Sequence, residues 1–423
     1  MRFEINSSFK FFGIVLAIFL YAMEPILAQE AYTEYQGKVL DKETKDPLVF
    51  VSLAIQNSNI STVTNTEGAF TLKVPNANKD AVLVVSLLGY EQSEVRLNDL
   101  AGVKGRILLT PRVTELNEVN VLAFTNAETL VRKVFQDKIV NSTDQLLLMT
   151  AFYRETIKKR NRNVSLTEAV VNVYKQPYNT KSKDVISLHK ARKSTDYKRL
   201  DTVALKLQGG PFSTLYLDVM KYPEYIFNDE TIDFYDFTFE APTTVNDKPV
   251  YVVRFKQKEI VVGSGYLGKL YIDVESLALA SATYALNILD SKEASELFVR
   301  KKPGNIRVDP LKAAYRVDYR EKNGKWYYGY GSVQVSFKIS RKRRLFNSVY
   351  TLSSEMAVTD WEINSSGFMA MSEDRLKPTV IIADAVSGFS DPNFWGPYNV
   401  IEPEKSIESA IDKIKRKIKR ANR

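Results

Sequence analysis

The chain of 423 residues is 44% hydrophobic and 26% charged, which is typical of packed globular protein and leaves room for two or three domains. It has 59 lysines and arginines against 50 acidic residues, a formal net charge of +9. It has no cysteine and one histidine, which excludes disulfides, thiolate metal sites, a lipidated cysteine and any site with two histidine ligands.

The first 28 residues have the pattern of a secretory signal peptide. Arg2 and Lys10 precede an apolar run of roughly 13 residues, shorter than the ~20 that a spanning helix needs, and Ala28 supplies a small residue at the cleavage point. An uncleaved anchor is the alternative, because Ile26 is not the ideal residue three before the cut. We expect an exported protein, periplasmic or associated with the outer membrane. Its expected partners are an anionic membrane surface or another envelope protein, and not nucleic acid.

Residues 31–110 alternate short apolar stretches with turn signals at close spacing, which is typical of a small β-sandwich. The predicted strands are Tyr35–Asp41, Leu48–Ile55, Phe70–Val74 and Ala81–Leu88. The segment resembles the carboxypeptidase-regulatory-like domain, a transthyretin-like sandwich that bacteria attach to many exported proteins. The resemblance implies an accessory module without chemistry of its own, in which Gly68 forms a turn and Phe70 and Tyr90 pack.

Residues 111–145 are predicted to form a linker and a helix at about Ala127–Val140. Five apolar residues at helical spacing share one face of this helix. They are Leu130, Val131, Val134, Phe135 and Ile139.

Residues 146–400 have the pattern of a larger, mainly antiparallel β domain. The predicted strands are Phe152–Glu155, Glu168–Tyr174, Val250–Phe255, Lys269–Val274, Leu277–Leu286, Ala314–Tyr319, Trp326–Ile339 and Ser348–Glu355. Asn323-Gly324 between two of them predicts a two-residue hairpin. Residues 269–280 are similar to the sheets of lipoprotein carriers, in which a curved antiparallel sheet surrounds an apolar cavity. The mature chain, including Phe394–Glu404, is similar to a family of Bacteroidetes-type envelope proteins. That resemblance implies a location and not a reaction.

Two motifs that often carry chemistry favour structural interpretations. Gly263 to Gly268 match G-x-G-x-x-G after a predicted apolar strand, Glu259–Val262. The residues that follow alternate as in a second strand, whereas a dinucleotide site needs a helix there. His189 lies in a basic segment, which predicts an exposed side chain. The sequence also has no G-x-S-x-G elbow before a helix, so we expect no catalytic triad.

Acidic residues alternate with phenylalanines between positions 227 and 240, where a calcium loop or a carboxylate pair is the functional interpretation. The segment has no glycine for a calcium loop, so we expect a half-buried strand with a solvated face. The acids are Asp229, Glu230, Asp233, Asp236 and Glu240. We predict no metal, no cofactor and no catalytic residue.

Two basic segments are candidates for contact with an anionic surface. One is a predicted hairpin tip and the other a predicted amphipathic helix, residues 401–423, whose isoleucines alternatively dock on the protein itself. The basic residues are Arg341, Lys342, Arg343, Arg344, Lys413, Lys415, Arg416, Lys417, Lys419 and Arg420.

The sequence therefore predicts a mainly β protein: an N-terminal transthyretin-like β-sandwich plus a larger antiparallel β domain with a few helices. Its expected function is non-enzymatic, a binding or assembly role in the cell envelope. The first alternative is a periplasmic carrier or sensor of lipid or lipoprotein, which predicts an apolar cavity. The second is an envelope glycan hydrolase with paired carboxylates such as Asp233 and Asp236 facing each other across a groove.

Overall fold

The computed structural model describes residues 32–100, 105–112, 124–160, 162–195, 209–245, 248–298, 306–341, 347–382 and 394–404. The predicted signal peptide and most of the predicted C-terminal helix lie outside these ranges. Residues 401–404, the predicted start of that helix, have no helical structure. No helix of the described ranges is long and apolar enough to cross a membrane.

The N-terminal part is a β-sandwich of two small sheets, with strand orders β4-β1-β7 and β3-β2-β5-β6. Its elements are β1 (Tyr32–Asp41), β2 (Ser52–Ile55), β3 (Ser61–Val63), β4 (Ala69–Pro75), β5 (Val82–Ser86), β6 (Ser93–Arg96), α1 (Leu97–Leu100) and β7 (Gly105–Leu109). The inward residues, such as Tyr35, Leu53 and Leu83, form one closed core. The predicted sandwich is confirmed.

Two details of the sandwich concern its turns. Gly68 has a φ of 68°, and a Cβ there would lie 2.5 Å from the Val39 carbonyl oxygen, so the predicted turn role is confirmed. The predicted strand Leu48–Ile55 was too long. Phe50 has a φ of 59°, which interrupts extended backbone, and β2 begins only at Ser52.

The C-terminal part is a ten-stranded antiparallel sheet with the order β10-β9-β8-β17-β16-β15-β14-β13-β12-β11. Its strands are β8 (Leu147–Lys159), β9 (Arg162–Lys175), β10 (Val185–Thr195), β11 (Tyr235–Val245), β12 (Lys248–Gln257), β13 (Tyr266–Asp273), β14 (Leu279–Leu286), β15 (Ile306–Lys322), β16 (Lys325–Arg341) and β17 (Ser348–Ile363). Eight of the strands predicted in this region are present, but Glu259–Val262 is not a strand. The strand predicted over the acidic segment begins only at Tyr235, because turns and a short 3-10 helix precede it. Asn323 and Gly324 have φ values of 53° and 72° and join β15 to β16, as the hairpin prediction required.

The sheet has a different layer on each face. We call the face that packs against helices the helix face and the opposite one the sandwich face. The helices of this region are α2 (Ala127–Gln136), α3 (Lys138–Asn141), α4 (Phe212–Leu215) and α5 (Ser291–Phe298). In β8, Ala151 and Tyr153 belong to the helix-face core, and Phe152 between them lies in the sandwich-face core. Because the side-chain period is two, one strand supplies both cores.

The predicted helix Ala127–Val140 is interrupted at Asp137. Asn126 accepts a hydrogen bond from the Thr129 amide and so caps α2, which buries Leu130 and Val131 against the sheet. A new short helix, α3, starts at Lys138 and turns Ile139 outward, where half of its surface is exposed. The prediction that Ile139 shares the buried face was therefore wrong.

Residues 394–404, which we call the C-terminal strap, lie between the sandwich and the sandwich face of the large sheet. The Asn399 side chain accepts a hydrogen bond from the Lys73 amide at 2.6 Å and donates one to the Lys73 carbonyl at 3.0 Å. Further along, Arg154 donates to the Ile401 carbonyl at 2.5 Å. The strap therefore connects the two parts of the molecule.

Candidate functional site

A row of directly paired residues divides the helix face into two halves. Paired residues of antiparallel strands point to the same face, so the row is continuous from β9 to β14. We call it the central row, and it consists of Thr167, Glu155, Ser354, Val333, Tyr315 and Tyr284. The upper half extends from it to the β8–β9 turn, and the lower half extends to the Asn323-Gly324 hairpin.

The lower half is a packed core. Residues 209–235 cross it and bury Phe212, Leu215 and Phe227 against the sheet, together with α2. A cavity of about 10 Å³ remains beside Tyr319 and Trp326. Ligand pockets occupy about 300–1,000 Å³, so this cavity has no room for a lipid chain.

A buried ion cluster holds the crossing segment on the lower half. The Lys175 ammonium lies 2.6 Å from both the Asp184 and the Asp218 carboxylates, and all three side chains are at most 1% exposed. Tyr178 and Tyr319 donate hydrogen bonds to Asp218 at 2.7 and 3.0 Å. Burial acts to lower the pKa of Lys175, but the two carboxylates outweigh it and raise this pKa. The cluster is buried from solvent, and its ion pair between Asp218 and Lys175 holds the crossing segment against β9.

The central row contains a buried carboxyl group beside hydroxyl groups. Glu155 accepts a hydrogen bond from the Tyr153 hydroxyl at 3.0 Å, and burial raises the pKa of Glu155 to about 7. Ser354, its partner on β17, lies 3.2 Å from Ser213 of α4, Oγ to Oγ. Thr167 is the partner of Glu155 on β9, and its buried hydroxyl has no hydrogen-bond partner in the described part of the chain.

The upper half is apolar. Its buried lining comes from six neighbouring strands, β9, β8, β17, β16, β15 and β14. The residues are Ile157, Val164, Leu286, Ile306, Val308, Ala313, Val335, Phe337, Ile339, Tyr350 and Leu352. Of the described elements, α5 lies on this lining, through buried Ala294 and through Phe298, whose ring centroid is 5.8 Å from that of Phe337. The hydroxyl of Tyr350 is buried in this surrounding, and within the described ranges it has no hydrogen-bond partner.

Gly263 to Gly265 of the G-x-G-x-x-G motif lie in the loop between β12 and β13, and Tyr266 to Gly268 are the first residues of β13, as the hairpin interpretation required. A Cβ on Gly268 would lie 2.5 Å from the Tyr284 Cβ, so the glycine gives room to the tyrosine pair of the central row. The apolar stretch Glu259–Val262 before the motif is not a strand, contrary to expectation. It forms the exposed part of the loop.

Other candidate residues are dispersed. His189 lies at a bulge of β10 with its surface largely exposed, and its ring centroid is 4.8 Å from that of Tyr398. Partial desolvation of the ring, together with the charge of Lys190, lowers its pKa. Asp233 is ion-paired with Arg132 and Asp236 is exposed on β11, so their surroundings are surface and not a groove. Within the described ranges, no group of three or more acidic or histidine residues is placed to hold a metal ion.

The predicted anionic-surface residues are mostly not described. Arg341 is the last residue of β16. The others lie outside the described residues: Lys342, Arg343, Arg344, Lys413, Lys415, Arg416, Lys417, Lys419 and Arg420.

Sequence reasoning missed the buried charges Glu155, Arg154 and Lys175. A signal was present, because Arg154 and Glu155 directly follow the apolar residues 151–153 and Lys175 directly follows a predicted apolar strand, and a charge next to covered apolar residues needs a reason. Which faces are covered depends on the sandwich and on residues 209–235, which are remote in sequence.

Comparison with known proteins identifies the N-terminal part. Residues 35–121 match the model of the CarboxypepD_reg-like domain, so the predicted domain is confirmed. No curated protein sequence matches the chain.

Three solved structures resemble parts of the chain. A DUF1329 family protein from Desulfovibrio piger has a TM-score of 0.25 and 11% identity, covering 58% of this chain and 96% of that one. Lipovitellin, from a structure on lipid–protein interactions, has a TM-score of 0.28 and 7% identity, covering 56% and 27%. A LolA superfamily protein from Nitrosomonas europaea has a TM-score of 0.22 and 8% identity, covering 58% and 99%. At these TM-scores the likenesses carry no argument about function.

Proposed function

We propose that this protein is an exported, non-enzymatic binding protein of the cell envelope, and that its ligand is an amphiphile with an apolar chain. The ligand's chain lies in the upper half of the helix face. The observation that carries the proposal is the Tyr350 hydroxyl, which is buried in an apolar lining and has no hydrogen-bond partner among the residues that the structure describes. Export rests on the signal-peptide pattern of the first 28 residues.

The unpaired hydroxyl favours an amphiphile over a purely apolar ligand. A buried polar group without a partner costs about 1–3 kcal/mol, which a polar group of the ligand recovers when it bonds there. Tyr350 is paired with Lys159 across β17 and β8, and the Lys159 ammonium lies 5.5 Å from the centroid of its ring. An anionic or hydroxylated head group therefore fits this end of the lining.

The dimensions and boundaries of the upper half suit one chain. From Glu155 to Lys159 the strand advances about 14 Å, at ~3.4 Å per residue. The central row closes the lower limit with Glu155, Thr167 and Ser354, whose polar groups disfavour a deeper apolar chain. The walls are aliphatic side chains such as Leu352 and Val335.

Access requires α5 to move. In the present arrangement the lining residues close on one another and on this helix. α5 has only eight residues and buries a single side chain, Ala294, while its Leu297 is mostly exposed. A short helix with so little burial is held weakly, so a ligand chain replaces its contact with Phe337 at low cost.

The first test is native mass spectrometry of the exported chain, purified gently from a bacterial envelope, with lipid extraction in parallel. A stoichiometric amphiphile that persists on dilution supports the proposal. A bare chain that also fails to bind a phosphatidylglycerol with a fluorescent acyl chain contradicts it.

Three variants locate the bound chain. Ala313→Phe fills the lining and is expected to weaken binding of the fluorescent lipid at least tenfold, while Leu311→Phe, exposed two residues away, leaves binding unchanged. Phe298→Ala removes the α5 contact with Phe337 and is expected to strengthen binding, a gain that misfolding does not produce. Unchanged binding in both Ala313→Phe and Phe298→Ala overturns the location.

A further inference from the structure

The upper end of the sheet presents two nearly bare apolar side chains. Ile260 and Val262, in the loop between β12 and β13, are 88% and 98% exposed. Large apolar residues so exposed at a loop tip are a feature of binding surfaces. Leu289, just before α5, and Leu297, within α5, are also mostly exposed near the same end.

The loop is held in this position. The buried side chain of Gln257 donates a hydrogen bond to the Gly263 carbonyl at 2.9 Å and accepts one from the Gly265 amide at 2.7 Å. A Cβ on Gly265 would lie 2.5 Å from the Gln257 side chain, so the glycine permits the clamp. Ile260 and Val262 therefore project from a braced loop and not from a free one.

The β8–β9 turn lies at the same end and is basic. The central row continues through Gly268 of β13 to Phe255 of β12. From this level β8 runs to Arg160 and β12 runs to the Ile260 loop, so both connections lie at the same edge of the sheet. Arg160 has a φ of 53°, and its amide is bonded to the Val349 carbonyl at 2.8 Å, which directs an exposed side chain outward. Arg162 follows, also exposed.

The charges of the end are unevenly distributed. Around the β8–β9 turn the described basic residues are Lys158, Lys159, Arg160, Arg162, Arg307 and Lys338, against Glu404 and Asp309. Around the Ile260 loop, the bases Lys256, Lys258 and Lys292 meet the acids Glu259, Asp290, Glu293 and Glu296. An anion is therefore attracted to the β8–β9 turn, whereas the Ile260 loop offers the apolar contact.

The chain also leaves its described part at this end. The C-terminal strap runs from Ile401 beside Arg154 to Glu404, which lies 3.3 Å from Lys158. The 19 residues that follow Glu404 contain eight lysines and arginines against two acids.

We propose that Arg160, Arg162, Ile260 and Val262, together the upper rim, dock the protein on an anionic lipid bilayer. The arginines pair with lipid phosphates, and the two aliphatic side chains enter the interfacial zone. The rim is separate from the lining of the upper half, so docking and amphiphile binding can fail independently. A soluble anionic partner protein is a different outcome, which the test below distinguishes.

The test is co-sedimentation of the full exported chain with vesicles of phosphatidylglycerol and phosphatidylcholine, against vesicles of phosphatidylcholine alone. We expect binding to the anionic vesicles that weakens with salt. Arg160→Glu with Arg162→Glu is expected to lower the partition coefficient by roughly 25-fold, at about fivefold or more for each basic residue. Ile260→Ser with Val262→Ser is expected to lower it about tenfold. All four side chains are exposed, so folding is preserved.

Matched controls lie at the opposite end of the sheet. Lys181→Glu with Lys183→Glu changes two exposed bases of the β9–β10 connection, and Phe368→Ser removes one exposed apolar side chain. These are expected to bind vesicles like the unaltered chain, and the rim variants are expected to bind the fluorescent acyl probe unchanged. No sedimentation with anionic vesicles, or equal losses in rim and control variants, overturns the proposal.

Discussion

Arg154 and Glu155 are consecutive residues of β8 whose side chains lie on opposite faces of the large sheet and in opposite electrostatic surroundings. Arg154 is ion-paired with Glu168 at 2.7 Å and Glu355 at 3.4 Å. Glu155 is buried on the helix face, and its hydrogen-bond donor is the neutral Tyr153 hydroxyl. The charge of Arg154 is therefore neutralised where the sandwich and the strap contact the sheet. The charge of ionised Glu155, at the lower limit of the proposed ligand site, destabilises the folded state.

Glu155→Gln is expected to stabilise the protein in a pH-dependent way. The pKa of Glu155 is raised from 4.5 to about 7 in the folded state, so folding becomes less favourable as pH rises from about 4.5 through 7. The two pKa values correspond to about 3 kcal/mol. In urea unfolding, the variant should gain up to this amount at pH 8 and almost nothing at pH 4.5. A gain that does not change with pH would refute the assignment.

Lys175→Met is expected to destabilise the fold by about 3–5 kcal/mol, because it leaves the buried Asp184 and Asp218 carboxylates without their cation. Lys181→Met, at an exposed site in the connection that follows the same strand, should change the free energy of unfolding by less than about 0.5 kcal/mol. Urea unfolding of both variants measures the difference. Similar small effects would mean that the lysine is not the cluster's essential charge.

Asn399→Ala is expected to loosen the C-terminal strap. The Asn399 side chain bonds both the N–H and the carbonyl of Lys73, as a neighbouring strand would. In the variant both groups lose this partner, which lowers the free energy of unfolding by about 2 kcal/mol. Limited proteolysis should cut the variant faster within residues 394–404. Asn98→Ala, whose bond to Asp80 lies at the surface, is the control and should be cut like the original chain. If Asn399→Ala and the original chain are cut at the same rate, contacts other than those of Asn399 keep the strap in place.

Much of the fold was predictable because its strands have strong local patterns. Val250–Phe255 and Trp326–Ile339 alternate, and the Asn323-Gly324 turn fixes one register. Helix α2 was also visible, but its end at Asp137 was not, because the apolar spacing continues to Ile139. For the same reason, the apolar Glu259–Val262 was expected in a strand, although its residues are exposed in a braced loop.

The candidate site was less predictable, because it depends on which residues cover each face. Local sequence does not say that residues 209–235 fill the lower half and leave the upper half to α5. Glu155 therefore appears in the sequence as one polar residue at the end of a predicted strand. Only the pairing with Thr167 and Ser354 places it between a packed core and an apolar lining.

Gly268→Ala is expected to be more damaging than Gly324→Ala, because the two glycines are required for different reasons. A Cβ on Gly268 would lie 2.3 Å from the Thr283 carbonyl oxygen, so β14 has to shift, at about 1–3 kcal/mol. It would also disturb the stacked pair of Tyr284 and Tyr315, whose centroids are 5.0 Å apart. Gly324 has open space and needs only its φ of 72°, a cost of about 1 kcal/mol.

The two glycine variants also separate local strain from loss of the site. Near-ultraviolet circular dichroism should change for Gly268→Ala, since its tyrosine neighbours move, and stay the same for Gly324→Ala. Because Tyr284 belongs to the central row, Gly268→Ala should also weaken binding of the fluorescent acyl probe. If its tyrosine signal changes while binding does not, the aromatic end of the row is structural, and the ligand lies nearer Glu155.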